Sequence, residues 1–151
     1  MRYANKTFVS AEKSRAEIET ILRRYGASCF AYMNDSKQAM VAFEISGKKI
    51  RFILPLPGKE QFSLSPKGRR RSNSIAQNNA WQQACRQRWR ALALAIKAKL
   101  EWTETGIVTI EEEFLPYIVT NTGKTVAEIL MPQINQLYEE GRVPLLLQEN
   151  N

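Results

Sequence analysis

The basic side chains of this chain are concentrated in one stretch, and their chemistry is that of a polyanion-binding surface. Residues 59–99 contain ten Lys and Arg against a single acid, whereas residues 100–151 contain two bases against nine acids. A lysine or arginine that contacts a phosphate releases a condensed counterion, so this cluster favours nucleic acid as a partner. The alternatives are a solubilising face, or a docking surface for an acidic partner such as the chain's own last third. The ten bases are Lys59, Lys67, Arg69, Arg70, Arg71, Arg86, Arg88, Arg90, Lys97 and Lys99.

Residue types that would support catalysis are sparse. The chain has no histidine and two cysteines, which removes the commonest general base, hydrolytic triads and a four-ligand zinc site. Asp35, Glu44 and Lys49 could serve a metal-dependent nuclease, but no spacing singles them out. Carboxylates at 111–113 point in different directions on a helix, so a helix N-terminus explains them better than a metal does. Residues 122–125 contain the Gly-Lys-Thr with which a phosphate-binding loop ends, but the glycine that such a loop needs earlier is absent, because position 118 is Ile. We therefore expect no catalytic residue, no metal and no cofactor.

The elements that must position the bases form one α+β domain. At 151 residues and 44% hydrophobic content the chain is long and apolar enough for one core, and residues 58–74 have the composition of a mobile basic loop. No apolar stretch resembles a signal peptide or a spanning helix, and the two cysteines fit a reducing compartment, so we expect a cytoplasmic protein. Periodicity predicts helices over 11–25, 75–105 and 126–140 and strands over 28–33, 38–45 and 49–54.

Two hairpins connect the predicted strands into a meander. A two-residue loop at Gly47-Lys48 would pair Phe43 with Phe52 and Glu44 with Arg51, with apolar pairs on one face. The other face is not polar enough to be solvated. A second layer from the C-terminal helices is favoured over a ligand-binding face. That face would present Cys29, Ala31, Met33, Met40, Ala42, Glu44, Lys49, Arg51 and Ile53.

The long helix carries an apolar seam with a period near 3.6, which predicts burial along its whole length. The two tryptophans of the seam, Trp81 and Trp89, are assigned to the core. Cys29 and Cys85 are interpreted as small core side chains, although Cys29 could face outward. The segment 144–147 is expected to fold back on the core. The seam consists of Trp81, Cys85, Trp89, Leu92, Ile96 and Leu100.

Three stretches of the sequence resemble small uncharacterised proteins of tailed bacteriophages and prophages. They are residues 10–19, 50–57 and 85–101. The most distinctive part is the Arg-Gln-Arg-Trp-Arg-Ala-Leu run that follows Cys85 and begins at Arg86. The resemblance covers most of the chain. It implies a phage setting and carries no settled activity.

A meander followed by a long basic helix is also similar in order to single-strand annealing proteins of the phage Redβ/RecT kind. This resemblance is architectural and implies a homo-oligomer that holds single-stranded DNA along a basic groove. Base stacking would then fall to Tyr32, Phe62 or Trp102. The implied phosphate-binding residues are Lys49, Arg51, Lys67, Arg69, Arg70, Arg71, Arg86, Arg88, Arg90 and Lys97.

Two hypotheses from different classes follow. The first is a phage protein that binds single-stranded nucleic acid without sequence preference and anneals or protects it. The second is a phage protein that binds and inhibits a host defence complex through its basic face, without catalysis. In either case the acidic last third could cover the basic helix until a ligand displaces it.

Overall fold

The fold places two helices on one face of a small antiparallel sheet. The computed structural model describes residues 7–70 and 74–146, and its order of helices and strands confirms the predicted α+β class. Short 3-10 turns at Lys59–Phe62 and Leu115–Tyr117 lie in the connections. The elements are α1 (Ala11–Arg24), β1 (Ser28–Asn34), β2 (Gln38–Ile45), β3 (Lys48–Pro55), α2 (Ser74–Glu104), α3 (Ile110–Glu113) and α4 (Val126–Glu139).

Helix α1 begins and ends where its capping residues predict. The Ser10 hydroxyl accepts a hydrogen bond from the backbone N–H of Lys13, which satisfies one of the free donors of the first turn. Gly26 follows the helix with a φ of 88°, a conformation that costs a residue with a Cβ. Ile18 and Leu22 are fully buried, so the apolar stripe of α1 faces the core.

The strand order is β1-β2-β3, but the predicted register of the second hairpin is wrong by two residues. The turn is formed by Ser46 and Gly47, and Phe43 therefore lies opposite Ile50, not Phe52. Both turn residues have positive φ, 50° and 72°, as the type I′ turn that suits strand twist requires. A shift of two residues leaves every side chain on its predicted face, so the apolar face is preserved.

The core lies between the sheet and the helices α1 and α2. Phe43 and Phe52 point into it from the sheet, and the buried ring of Phe114 meets both edge-on at 6.2 and 6.1 Å between centroids. Such aromatic pairs contribute about 1 kcal/mol beyond burial alone. The fully buried large side chains are Phe43, Phe114, Ile18, Leu22, Ile50, Ile96, Leu100 and Val41.

Two predictions of burial are wrong. The seam of α2 is buried from Trp89 to Leu100, but Trp81 and Cys85 are only half-buried. Helix α1 has 14 residues and α2 has 31, so α1 cannot cover the first turns of α2. The tail does not fold back on the core either, because Leu145 and Leu146 are 79% and 98% exposed; Leu147 lies outside the described residues.

The second layer predicted for the other face of the sheet covers it only in part among the described residues, where Arg51 contacts Gly123 and Glu128. Met33 and Ile53 on this face stay 40% and 42% exposed, and Cys29 is exposed as well. After α3 the chain pairs Ile118 with Ile50 at the free edge of β3 and turns into α4. None of the described helices is long and apolar enough to span a membrane.

Candidate nucleic-acid interface

Some bases of α2 are already neutralised by acids of the same chain. Arg90 Nη1 lies 2.5 Å from the Glu17 carboxylate of α1, and both side chains are largely shielded. On the other flank, Lys99 Nζ lies 3.1 Å from Glu113 of α3 and 5.5 Å from the ring centroid of Tyr117. These two contacts position helices, so Arg90 and Lys99 present little free charge to a ligand.

The remaining bases of α2 keep their charge available. Within residues 7–70 and 74–146, no carboxylate lies at ion-pair distance from Arg86, Arg88 or Lys97. The Arg86 guanidinium donates two hydrogen bonds to the neutral Gln83 amide oxygen, at 2.5 and 3.0 Å, which fixes its direction without cancelling its charge. Arg88 and Lys97 are exposed.

The basic loop is attached to the start of α2. Trp81 Nε1 donates to the Pro57 carbonyl and Gln77 Nε2 to the Lys59 carbonyl, each at 2.9 Å. Beyond this attachment Leu64 bridges to Arg70, which closes a turn. Three basic side chains of the loop beyond Lys59 are exposed, and Arg71 lies outside the described residues. They are Lys67, Arg69 and Arg70. Arg86 and Lys97 lie on the flank of α2 that carries Arg90, and Arg88 lies on the opposite flank with Lys99. Together with Arg86, Arg88 and Lys97, the three loop bases are called the basic surface below.

The two candidates on the sheet differ from each other. Arg51 donates to the Gly123 carbonyl at 2.9 Å and to Glu128 at 3.3 Å, so it attaches the turn before α4 to the sheet. The backbone N–H of Thr125 and the charge of Arg51 hold the pKa of Glu128 below its ordinary value. Lys49 is exposed and stands opposite Glu44 on β2. Arg51 is therefore a structural residue, and Lys49 lies on the uncovered side of the sheet.

A cleft of about 400 Å³ opens beside the basic surface. Trp81 and Arg86 stand on its α2 wall, and the loop between β1 and β2 forms the opposite side. Burial raises the pKa of the Cys85 thiol, so this thiol stays neutral and is a poor nucleophile at neutral pH. Sequence reasoning assigned Trp81 to the core; the difference in length between α1 and α2 was the signal against that assignment. The lining residues are Ser10, Ala11, Glu12, Asn34, Asp35, Ser36, Leu56, Trp81, Gln82, Cys85, Arg86 and Trp89.

The aromatic residues proposed for base stacking are placed differently. The Tyr32 hydroxyl donates to Glu19 at 3.1 Å and the Arg15 guanidinium lies 5.4 Å from its ring centroid, so that ring is engaged. Phe62 is half-buried in the 3-10 turn. Trp102 is 45% exposed near the end of α2. Of the predicted candidates, only Trp102 presents a largely open ring.

The acids considered for catalysis are not brought together. Asp35 accepts hydrogen bonds from the backbone of Lys37 and Gln38, which lower the pKa of its carboxyl, whereas Glu44 lies at the other end of β2. Glu112 forms a capping box with Thr109. Among the described residues, no group of three His, Cys, Asp or Glu could hold a metal ion.

No family model, no curated protein and no solved structure matches this chain. The likeness to phage proteins and to single-strand annealing proteins therefore stays a prediction. The basic surface and its neighbouring cleft are the features from which a function can be argued.

Proposed function

We propose that this chain is a non-catalytic phage protein that binds single-stranded nucleic acid without sequence preference, and anneals or protects it. Phosphates would lie along the basic surface, whose side chains have no acidic partner among the described residues. That separation of free bases from paired ones is the observation that carries the proposal. If the bases of α2 served only solubility, pairing each of them with an acid, as Arg90 is paired with Glu17, would add a little stability.

Within the described residues, the acids of the last third form no ion pair with the basic surface, although Glu101 and Glu104 line a pocket beside Lys97. Their contacts to bases are made by Glu111 with Lys48, Glu113 with Lys99 and Glu128 with Arg51. None of these involves Arg86, Arg88 or Lys97. Displacement of an acidic cover is thus unnecessary for a phosphate backbone to reach α2.

The salt dependence of binding tests the proposal. Fluorescence anisotropy of a labelled single-stranded oligonucleotide should give a slope of log K against log salt of about −4 if six bases contact phosphate. Combined Arg86→Ala, Arg88→Ala and Lys97→Ala substitutions should make that slope shallower by about 2. Lys99→Ala is the matched control, because Lys99 is already paired with Glu113, and its slope should equal that of the wild type.

An unchanged slope in the triple variant would refute the placement of phosphates on α2. No binding even at low salt would refute nucleic-acid binding itself and favour an acidic host protein as the partner of this surface. Unlabelled duplex DNA added as competitor distinguishes a preference for single strands from general polyanion binding. If the protein prefers single strands, the labelled oligonucleotide stays bound to it in the presence of the duplex.

A base of the bound strand would enter the cleft and stack on Trp81, in place of Lys59, whose Nζ lies 5.9 Å from the centroid of that ring. Stacking of a base on an aromatic ring contributes about 1–3 kcal/mol. We therefore expect Trp81→Leu to weaken oligonucleotide binding by roughly fivefold or more. Trp102→Leu is the control at a distant open tryptophan; weakening by this change alone would place the stacking ring at the end of α2.

A further inference from the structure

Helix α4 carries an apolar stripe with no partner in the described part of the chain. Each side chain of the stripe is between 38% and 66% exposed, and α4 contains no buried residue. A 14-residue helix is marginal on its own, and Pro132 removes one of its internal hydrogen bonds. The helix therefore needs a packing partner. The α4 stripe consists of Leu130, Met131, Ile134, Leu137 and Tyr138.

The first turn of α4 is attached to the domain. Thr125 and Glu128 form a capping box, and Glu128 also pairs with Arg51 on the sheet. These contacts set where the helix begins and leave the α4 stripe uncovered. Capping and one partly exposed ion pair contribute about 1–2 kcal/mol in total, which is less than the roughly 3 kcal/mol that an interior proline costs.

The sheet has an apolar surface of its own that is only partly covered: Ala31, Met33 and Ile53 are exposed, and Met40 and Ala42 are half-buried. On the face away from α1 and α2, Met33, Met40 and Ile53 are directly opposed across the three strands. Ala31 and Ala42 form the next row, opposite Arg51. These five apolar residues are called the outer sheet face below. Apolar rows of this kind are covered in stable proteins, because leaving them in water forgoes the gain from burial.

We propose that the α4 stripe of each protomer packs on the outer sheet face of a second copy, in a two-fold symmetric dimer. One chain carries both unpartnered surfaces, so reciprocal docking covers both at once, as an isologous interface requires. Together the two surfaces expose eight apolar side chains per protomer, five on α4 and three on the sheet, and a stable interface buries roughly 800 Å² per partner.

This inference does not rest on nucleic-acid binding, since no residue of the α4 stripe or of the outer sheet face belongs to the basic surface.

Sedimentation velocity of the full chain over a range of protein concentrations measures the assembly. We expect a species of about twice the 17.3 kDa of one chain. Ile134→Lys in the α4 stripe and Ile53→Glu in the outer sheet face should each give monomers with unchanged circular dichroism. Gln136→Lys places the same charge on the opposite side of α4 and should leave the dimer intact.

Mixing the two monomeric variants distinguishes helix-on-sheet docking from helix-on-helix docking. A mixed dimer has one wild-type contact and one contact in which the new charges attract, so mixing Ile134→Lys with Ile53→Glu should restore dimers. A wild-type monomer at all concentrations, dimers that survive both changes, or failure to restore dimers on mixing would each overturn the proposal. If the wild-type protein is a monomer and still binds the oligonucleotide, the dimer proposal is refuted and the nucleic-acid proposal is not. The two proposals can therefore fail independently.

Discussion

Arg90 of α2 and Glu17 of α1, 73 positions apart in the sequence, form an ion pair at 2.5 Å. The two side chains are 22% and 34% exposed, so the pair is shielded from bulk solvent more than a surface salt bridge usually is. It joins the two helices above the core. It also withdraws one of the α2 bases from the basic surface.

Removal of Glu17 should release Arg90 for phosphate binding. We expect Glu17→Ala to make the slope of log K against log salt steeper by about 0.7, because one more base can contact a single strand. Loss of the pair should lower the free energy of unfolding by at most about 1 kcal/mol. Glu19→Ala removes the same charge from α1 but releases Arg23, outside α2, and should leave the slope unchanged. Anisotropy titrations at several salt concentrations measure both variants; equal slopes would contradict the prediction.

Two serines of α1 should respond to alanine with opposite signs. Ser14 is fully buried and its hydroxyl has no hydrogen-bond partner in the described structure, so Ser14→Ala should raise the free energy of unfolding by about 1 kcal/mol. Ser10 caps the helix, so Ser10→Ala should lower it by about 1 kcal/mol. Urea unfolding followed by circular dichroism compares the two. A loss of stability in Ser14→Ala would mean that its hydroxyl has a partner after all.

The turn between β2 and β3 should be sensitive to its backbone conformation. Gly47 has a φ of 72° and an added Cβ would meet nothing within 4 Å, so Gly47→Ala should cost only the backbone strain, about 1–2 kcal/mol. Ser46→Asn should be neutral or stabilising, because asparagine suits the first position of a type I′ turn. Thermal unfolding of both variants is the measurement. A neutral Gly47→Ala would contradict the positive φ of Gly47 in solution.

Alkaline pH should destabilise the protein through Tyr32. Burial, reinforced by the Glu19 carboxylate, raises the pKa of Tyr32 from 10.0 to about 12. The unfolded chain therefore loses this proton near pH 10 while the folded chain retains it, so stability is complete below that pH and falls as pH rises towards 12. The Glu104 carboxylate raises the pKa of Tyr25 in the same direction. Urea unfolding across this range should show a shallower decline in Tyr32→Phe; identical pH profiles would contradict the assignment.

Much of the fold could be predicted because its signals are local. Helix α1 is defined by signals that lie inside it or next to it in the sequence: the spacing of Ile18 and Leu22, the cap at Ser10 and the glycine at 26. The same reasoning found the strands and both ends of α2 to within a residue or two. Register was missed by two residues, because moving the pairing of Phe43 from Phe52 to Ile50 preserves the apolar pattern, and only the φ angles of the turn distinguish the two alternatives.

The candidate site was less predictable, since charge and exposure depend on distant neighbours. The sequence by itself determined that the bases are concentrated in 59–99 and that α2 is amphipathic. Only the tertiary structure decided that Arg90 and Arg51 are paired while Arg86 and Lys97 are not, and that Trp81 borders a cleft. The reason is physical: an ion pair or a covered ring needs atoms within a few ångströms, and chain separations of 73 and 77 residues leave no local trace of that contact.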